Sequence, residues 1–227
     1  MSSTKGGYSL NNQHTRFREP FSGFSHLVGL VLSIAGTVTL VLQSIKRGTT
    51  WHIVSFAIFG ASLILLYAAS SLYHLLPLGE QGIRILQRID HMMIYILIAG
   101  TYTPFCLVPL RGAWGWALLV PIWLTAFAGV IITAFQLSTP RWVNTAIYVV
   151  MGWIVAIAAK PLLATVPGGF AWLLTGGLLY TIGAVCYGTK WPRLKPGVFG
   201  FHELWHLFVM AGSISHYWAV FRYVAFV

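Results

Sequence analysis

The stretch "GFHELWHLF" (200–208) supports two readings that lead to different folds. Its centre, His202-Glu203-Leu204-Trp205-His206, matches H-E-x-x-H, the helical zinc signature of metalloproteases. The same residues open an apolar run that continues through "VMAGSISHYWAVF" almost to the end of the chain. A bilayer-spanning helix needs about 20 mostly apolar residues, and segment 200–223 supplies them. The protease reading also lacks its parts. A third ligand should follow the second histidine, but only 21 residues remain after His206 and none is Asp or Glu. In the extended pattern H-E-x-x-H-x-x-G-x-x-H, Val209 and Gly212 occupy the Gly and third His positions. His216 lies about 15 Å further along the same helix, too far to share an ion. The segment therefore reads as a membrane helix with two histidines near one end.

The rest of the chain agrees with that choice. It has 227 residues, 57% hydrophobic and only 8% charged, with mean hydropathy +0.76. Soluble domains carry about 25% charged residues, so water is not the main solvent here. Seven apolar stretches are expected to cross the bilayer, at roughly 22–44, 53–76, 88–109, 113–135, 142–163, 169–189 and 200–223. Short polar or turn-forming separators lie between them, including "PLGEQGIR", "TVPGG" and "GTKWPRLKPG". The expected organisation is a polar cytoplasmic segment (1–21) followed by one seven-helix transmembrane domain (22–223), all-α throughout.

Net charge is +10, from 14 Lys and Arg against four acids. The basic residues are scattered through short loops and build neither a basic face nor an aromatic platform, which argues against a nucleic-acid partner. They report topology instead. Lys5, Arg16, Arg18, Arg84, Arg88, Arg141, Lys190, Arg193 and Lys195 fall on one side; Lys46, Arg47, Arg111, Lys160 and Arg222 fall on the other. The positive-inside rule puts the first side, with the N-terminus, in the cytoplasm and the C-terminus outside. Cys106 and Cys186 then lie at opposite membrane faces, which excludes a disulfide between them.

Ionisable residues inside a bilayer are expensive and mark function. The topology places Ser70 and His74 near the cytoplasmic end of the second span, and Asp90 and His91 near the start of the third. His202, Glu203 and His206 open the seventh at the same depth, and Glu19, Ser22 and His26 open the first. Five of the eight histidines thus share one layer with three of the four acids, as expected for one built site. His202 and His206, four residues apart, project from adjacent turns about 40° apart and can reach one ion. Neutral imidazole suits zinc, and three protein ligands with an open fourth position define the catalytic type. The third ligand must come from upstream, and His74 is best placed. Ser70 stands one turn deeper on the same helical face. Glu203 is rotated about 100° from His202, toward a neighbour or the loop. His26, His91 and His216 read as interhelical hydrogen-bonding residues.

These motifs resemble the haemolysin-III-related membrane proteins, bacterial relatives of the adiponectin and progestin receptors. "ASSLYH" (69–74) is similar to the family's S-x-x-x-H, and "RIDHMMIYILIAGTYTPF" (88–105) to its third-span segment beginning with Asp. "HELWHLFVMAGSISH" (202–216) is similar to its H-x-x-x-H with a later histidine, and "EPFSGFSHLVGL" (19–30) to its first span. One departure is Ser22, which stands where the family commonly has Asn in E-x-x-N-x-x-x-H. The resemblance implies seven helices and a zinc near the cytoplasmic leaflet held by His74, His202 and His206. It further implies that Asp90 holds the water the zinc activates and that Ser70 supports the site.

The expected function is zinc-dependent hydrolysis of a lipid amide or ester in the cell membrane, with Asp90 and Ser70 catalytic and membrane lipids as partners. The alkaline ceramidases are similar in arrangement, by analogy. Two alternatives are a non-enzymatic sensor of membrane state with structural zinc, and a haemolysin- or channel-type pore.

Overall fold

A computed structural model of the chain describes residues 17–135, 141–192, 194–195 and 199–227, so most of the polar segment 1–21 and Arg193 lie outside the described residues. The described residues are helical apart from short connections, and no β-strand occurs among them. Eight α-helices follow in order: α1 (Pro20–Arg47), α2 (Thr50–Leu75), α3 (Glu80–Leu107), α4 (Ala113–Ala134), α5 (Arg141–Trp153), α6 (Ala159–Thr165), α7 (Pro167–Thr189) and α8 (Phe201–Arg222). Proline sits in the first turn of α1 and of α7, where its missing N–H costs nothing and its fixed φ suits a helix start. An isolated antiparallel bridge between Lys195 and Phe199 brings the chain into α8.

Among the described residues, five helical segments are long and apolar enough to cross a membrane: α1, α2, α4, Trp142–Thr165 and α7. The two long helices outside that set, α3 and α8, carry Asp90 and His91, and His202, Glu203, His206 and His216. Both also carry other polar and charged side chains, such as Glu80, Arg84 and Arg88 of α3 and Arg222 of α8. α2 lies between α1 and α3, α4 packs on the outer side of α3, α7 pairs with α8, and α8 closes back against α1. Phe56, Phe59, Tyr95, Phe105 and Ile122 fill the interior. The outward faces are apolar, as along Val28, Val31, Val38 and Leu42 of α1 and Leu124, Phe127 and Ile131 of α4. Hydrocarbon solvent accommodates such faces, because each helix satisfies its own backbone. At Gly100 a side chain would collide with Ser62, so glycine lets α3 approach α2 closely.

The expected continuous helix over 142–163 is broken. Between α5 and α6, residues Ile154–Ala158 form a tighter 3₁₀ turn. Tyr102 of α3 explains how the break survives. Its hydroxyl donates to the carbonyls of Met151 (2.7 Å) and Gly152 (3.0 Å) and accepts from the Val155 N–H (2.8 Å). Backbone groups freed by the break are thus paired inside the protein, as a water-free environment demands. Tyr102→Phe should destabilise the protein by ~2 kcal/mol, the cost of leaving such groups unpaired, and lower Tm in detergent by ~4–8 °C. An unchanged Tm would show that the break holds without the hydroxyl.

Cys106 and Cys186 are both free and buried.

Candidate metal centre

The site forms where the start of α1, the end of α2 and the start of α8 meet. α2 ends at Leu75, which leaves carbonyls of its last turn without intrahelical partners. The Glu19 N–H donates to one of them, the His74 carbonyl, at 2.9 Å and pins the entrance of α1 to the exit of α2. Arg18 tightens the same corner. Its Nη2 donates to the Tyr73 carbonyl at 2.8 Å, and its guanidinium stacks 4.2 Å above the Tyr73 ring.

With the corner fixed, His74 faces the two histidines of α8. Ring centroids are 5.0 Å apart for His74–His202, 4.7 Å for His74–His206 and 4.8 Å for His202–His206. One nitrogen from each ring lies within 4.8 Å of the other two. His74, His202 and His206 are the residues that would hold a single ion, with the rings drawing closer together around it. His74 is 0% exposed and its Nδ1–H donates to Glu19 Oε2 at 2.6 Å. That bond fixes the tautomer and turns Nε2, buried without a hydrogen-bond partner, toward the cluster. A buried orphan acceptor is costly unless something fills it. A carboxylate behind a metal-binding imidazole is the usual arrangement that orients such a ligand. These residues fit a metal ion.

Glu19 was placed at this depth by sequence but given no role; contact between α1 and α2 supplies one. Arg18 lies 3.4 Å from its other oxygen, and His202 Nδ1 lies 4.0 Å from Oε2. The hydrogen bond from His74, with Arg18 nearby, holds the Glu19 carboxyl below the ordinary carboxylate range. Glu19→Ala should weaken metal affinity ~10–100-fold, as loss of such outer partners generally does. Titration against a competing chelator measures this, and unchanged affinity would remove Glu19 from the metal's support.

Glu203 turns away from the cluster, as its rotation on the helix required. Its Oε2 accepts the Gly200 N–H at 2.8 Å and caps α8, while the Ser22 hydroxyl lies 3.5 Å from Oε1. The match to H-E-x-x-H is therefore a capping acid that happens to fall within H-x-x-x-H. His26 departs from its expected role. Neither ring nitrogen has a hydrogen-bond partner, and the ring instead stacks on His206 at 3.9 Å. His216 does form an interhelical bond, Nε2–H to the Leu173 carbonyl at 3.0 Å.

Asp90 and Ser70 share a cavity of about 380 Å³ with His202 and His206, and the Ser70 hydroxyl faces the Asp90 carboxyl. From this end the cavity continues along α3 past Ile94, Leu97 and Ile98 to Phe105 and Leu110. It is thus a long, mostly apolar pocket whose charged side chains, Arg88 and Asp90, lie at the end with the histidine cluster, within the size range of small-molecule sites.

A family model described as "Haemolysin-III related" matches residues 14–217. The chain belongs to that family. A hemolysin-3 homolog of Bacillus subtilis (strain 168) is 41% identical over 203 residues, covering 89% of this chain and 92% of the relative. Hemolysin-3 of Bacillus cereus is 40% identical over 206 residues, covering 89% and 90%. The human monocyte to macrophage differentiation factor is 28% identical over 210 residues, covering 88% and 82%. Family membership together with several long apolar helices makes the chain a multi-pass protein of the cell membrane.

Proposed function

We propose that this haemolysin-III-related protein is a seven-span membrane hydrolase that uses zinc to cleave a lipid amide or ester. Its N-terminus is cytoplasmic, its C-terminus is extracytoplasmic, and its site lies near the cytoplasmic leaflet. The observation that carries the reading is a buried three-histidine cluster opening onto a long apolar cavity beside an acid. Zinc held by His74, His202 and His206 would supply Lewis acidity, bringing the pKa of water toward ~7 and polarising the scissile carbonyl.

The chain's own residues do the rest. The apolar wall of the cavity takes up an acyl chain and excludes water around the reacting group. Asp90 accepts the proton of the attacking water, and Ser70, facing it, donates a hydrogen bond that orients the carboxyl. Glu19 keeps His74 in one tautomer. Three histidine ligands would leave a position for water with Asp90 beside it, whereas a structural zinc is closed by a fourth protein ligand, and Asp90 acting on that water rather than as the fourth ligand is what separates the enzyme from the structural-zinc sensor. The name hemolysin borne by the Bacillus relatives raises a pore, but the end of the cavity remote from the histidines is lined by Phe105, Leu110 and Leu118. A conducting path would need polar groups there.

The test is hydrolysis of lipid amides and esters by the purified protein in lipid nanodiscs. Activity should vanish on chelation and return with zinc. Absence of turnover in metal-loaded protein across both substrate types would remove the hydrolase reading and leave the sensor.

A further inference from the structure

One cation on the cavity wall has no counter-charge in the protein. Arg88 lines the end of the cavity that also holds Asp90, His202 and His206. The residue is half-buried, so a ligand can reach it. Among the described residues it forms no hydrogen bond and no ion pair. Arg18 and Arg84 differ in this, the first meeting Glu19 and the Tyr73 carbonyl, the second meeting Glu80. All four acids of the chain have other neighbours: Glu19 has His74 and Arg18, Glu80 has Arg84, Glu203 has the Gly200 N–H, and Asp90 has Ser70.

The start of α3 gathers polar groups around this arginine. Gln87, Asp90, His91 and Ile94 recur at three- and four-residue spacing and make the stripe of α3 that lines the cavity, with Arg88 at its edge one turn before His91. Gln87 is also half-buried, and its amide makes no hydrogen bond among the described residues. Tyr148 of α5 donates to the His91 carbonyl at 3.3 Å, so α5 starts beside this part of α3, and its Asn144 and Thr145 line the same cavity. An arginine that only reports topology needs no more than a place in a loop; this one lies inside α3, against the cavity. A guanidinium drawn partly out of water is costly without a counter-charge, and its planar fork matches the paired oxygens of a carboxylate or phosphate. With Gln87 next to it, the wall offers a charged fork and a neutral amide donor to one small anion.

We infer that the cavity takes a lipid whose polar end carries an anionic group, a carboxylate or a phosphate, and that Arg88 binds it. The inference rests on the cavity holding a lipid amide or ester, as proposed above. Arg88 stands two residues before Asp90, about 3 Å nearer the start of α3, whereas the apolar stretch runs the other way past Leu97 to Phe105. The acyl chain therefore fills the apolar stretch, the carbonyl lies by Asp90 and the histidines, and the anion belongs to the leaving part of the molecule. Among amides this selects N-acyl amino acids, and among esters acyl glycerol phosphates, over their uncharged counterparts.

The test compares two matched pairs on zinc-loaded protein in nanodiscs of zwitterionic lipid: N-oleoylglycine with N-oleoylethanolamine, and oleoylglycerol phosphate with monooleoylglycerol. Binding is read by displacement of a fluorescent fatty alcohol, an uncharged probe, at once on mixing and ahead of turnover. Arg88→Gln should weaken binding of at least one anionic ligand about tenfold to a hundredfold, the range of a charge-assisted hydrogen bond, and leave its uncharged counterpart within about twofold. The anion that responds names the lipid class. Arg88→Lys keeps the charge without the fork and should fall between the two. Unchanged metal content checks folding. Unchanged affinity for both anionic ligands in Arg88→Gln, or equal losses for charged and uncharged ones, would overturn the inference and leave the lipid reading standing; Arg88 would then serve the surrounding headgroups alone. A probe that does not bind the wild-type protein, or that none of the four ligands displaces, would overturn the lipid reading itself.

Discussion

Asp90→Asn should abolish turnover and leave the metal in place. The amide keeps the size of the carboxyl and the contact with Ser70, but it cannot accept a proton. Loss of a positioned general base typically costs ~10²–10⁴ in rate. The three histidines do not depend on Asp90 for position, since Glu19 fixes His74 and helical spacing fixes His202 and His206. Metal content should therefore stay near wild type while hydrolysis of the lipid amide or ester falls to background. Loss of metal with loss of activity would make Asp90 a ligand, and wild-type turnover would remove it from the chemistry.

The second large effect falls on the ligands. Zinc bound to protein sites contributes ~10–16 kcal/mol, so removing one of three ligands should cost roughly a third of that and weaken affinity by ~10³. His74→Ala should show this most strongly. It removes the Nε2 aimed at the cluster and also strips Glu19 of its hydrogen-bond donor in a half-buried corner. His202→Ala and His206→Ala should lose the metal with less damage to the corner between α1 and α2. Metal analysis of the three purified variants distinguishes these outcomes. Retention of metal in any one would show that its histidine is a packing residue.

Much of this was legible in the sequence because it depends on spacing along single helices. His202 and His206, and Ser70 and His74, share faces whatever their helices pack against. Glu203 could be turned away from His202 by rotation alone, and the cap it forms agrees. Convergence at one end of the bundle followed from the order of the apolar segments, and it brought His74 to the α8 histidines. Other features live in contacts between helices, where a single sequence has no signal. The role of Glu19 needs the end of α2 to stand beside the start of α1. The stacking of His26 on His206 depends on the stagger between α1 and α8. The 3₁₀ break after α5 is invisible to hydropathy, which counts apolar residues and is blind to backbone geometry; Tyr102, about fifty residues earlier, is what makes it tolerable. The cavity is a space between helices and has no residue pattern of its own.

The most direct test of the central claim is the metal content of protein purified in detergent without chelators or added metal. The account predicts about one zinc per chain, removable by a strong chelator and absent from the His202→Ala variant. Protein that is folded yet free of metal, and that takes up none when zinc is supplied, would contradict it and return the three histidines to packing.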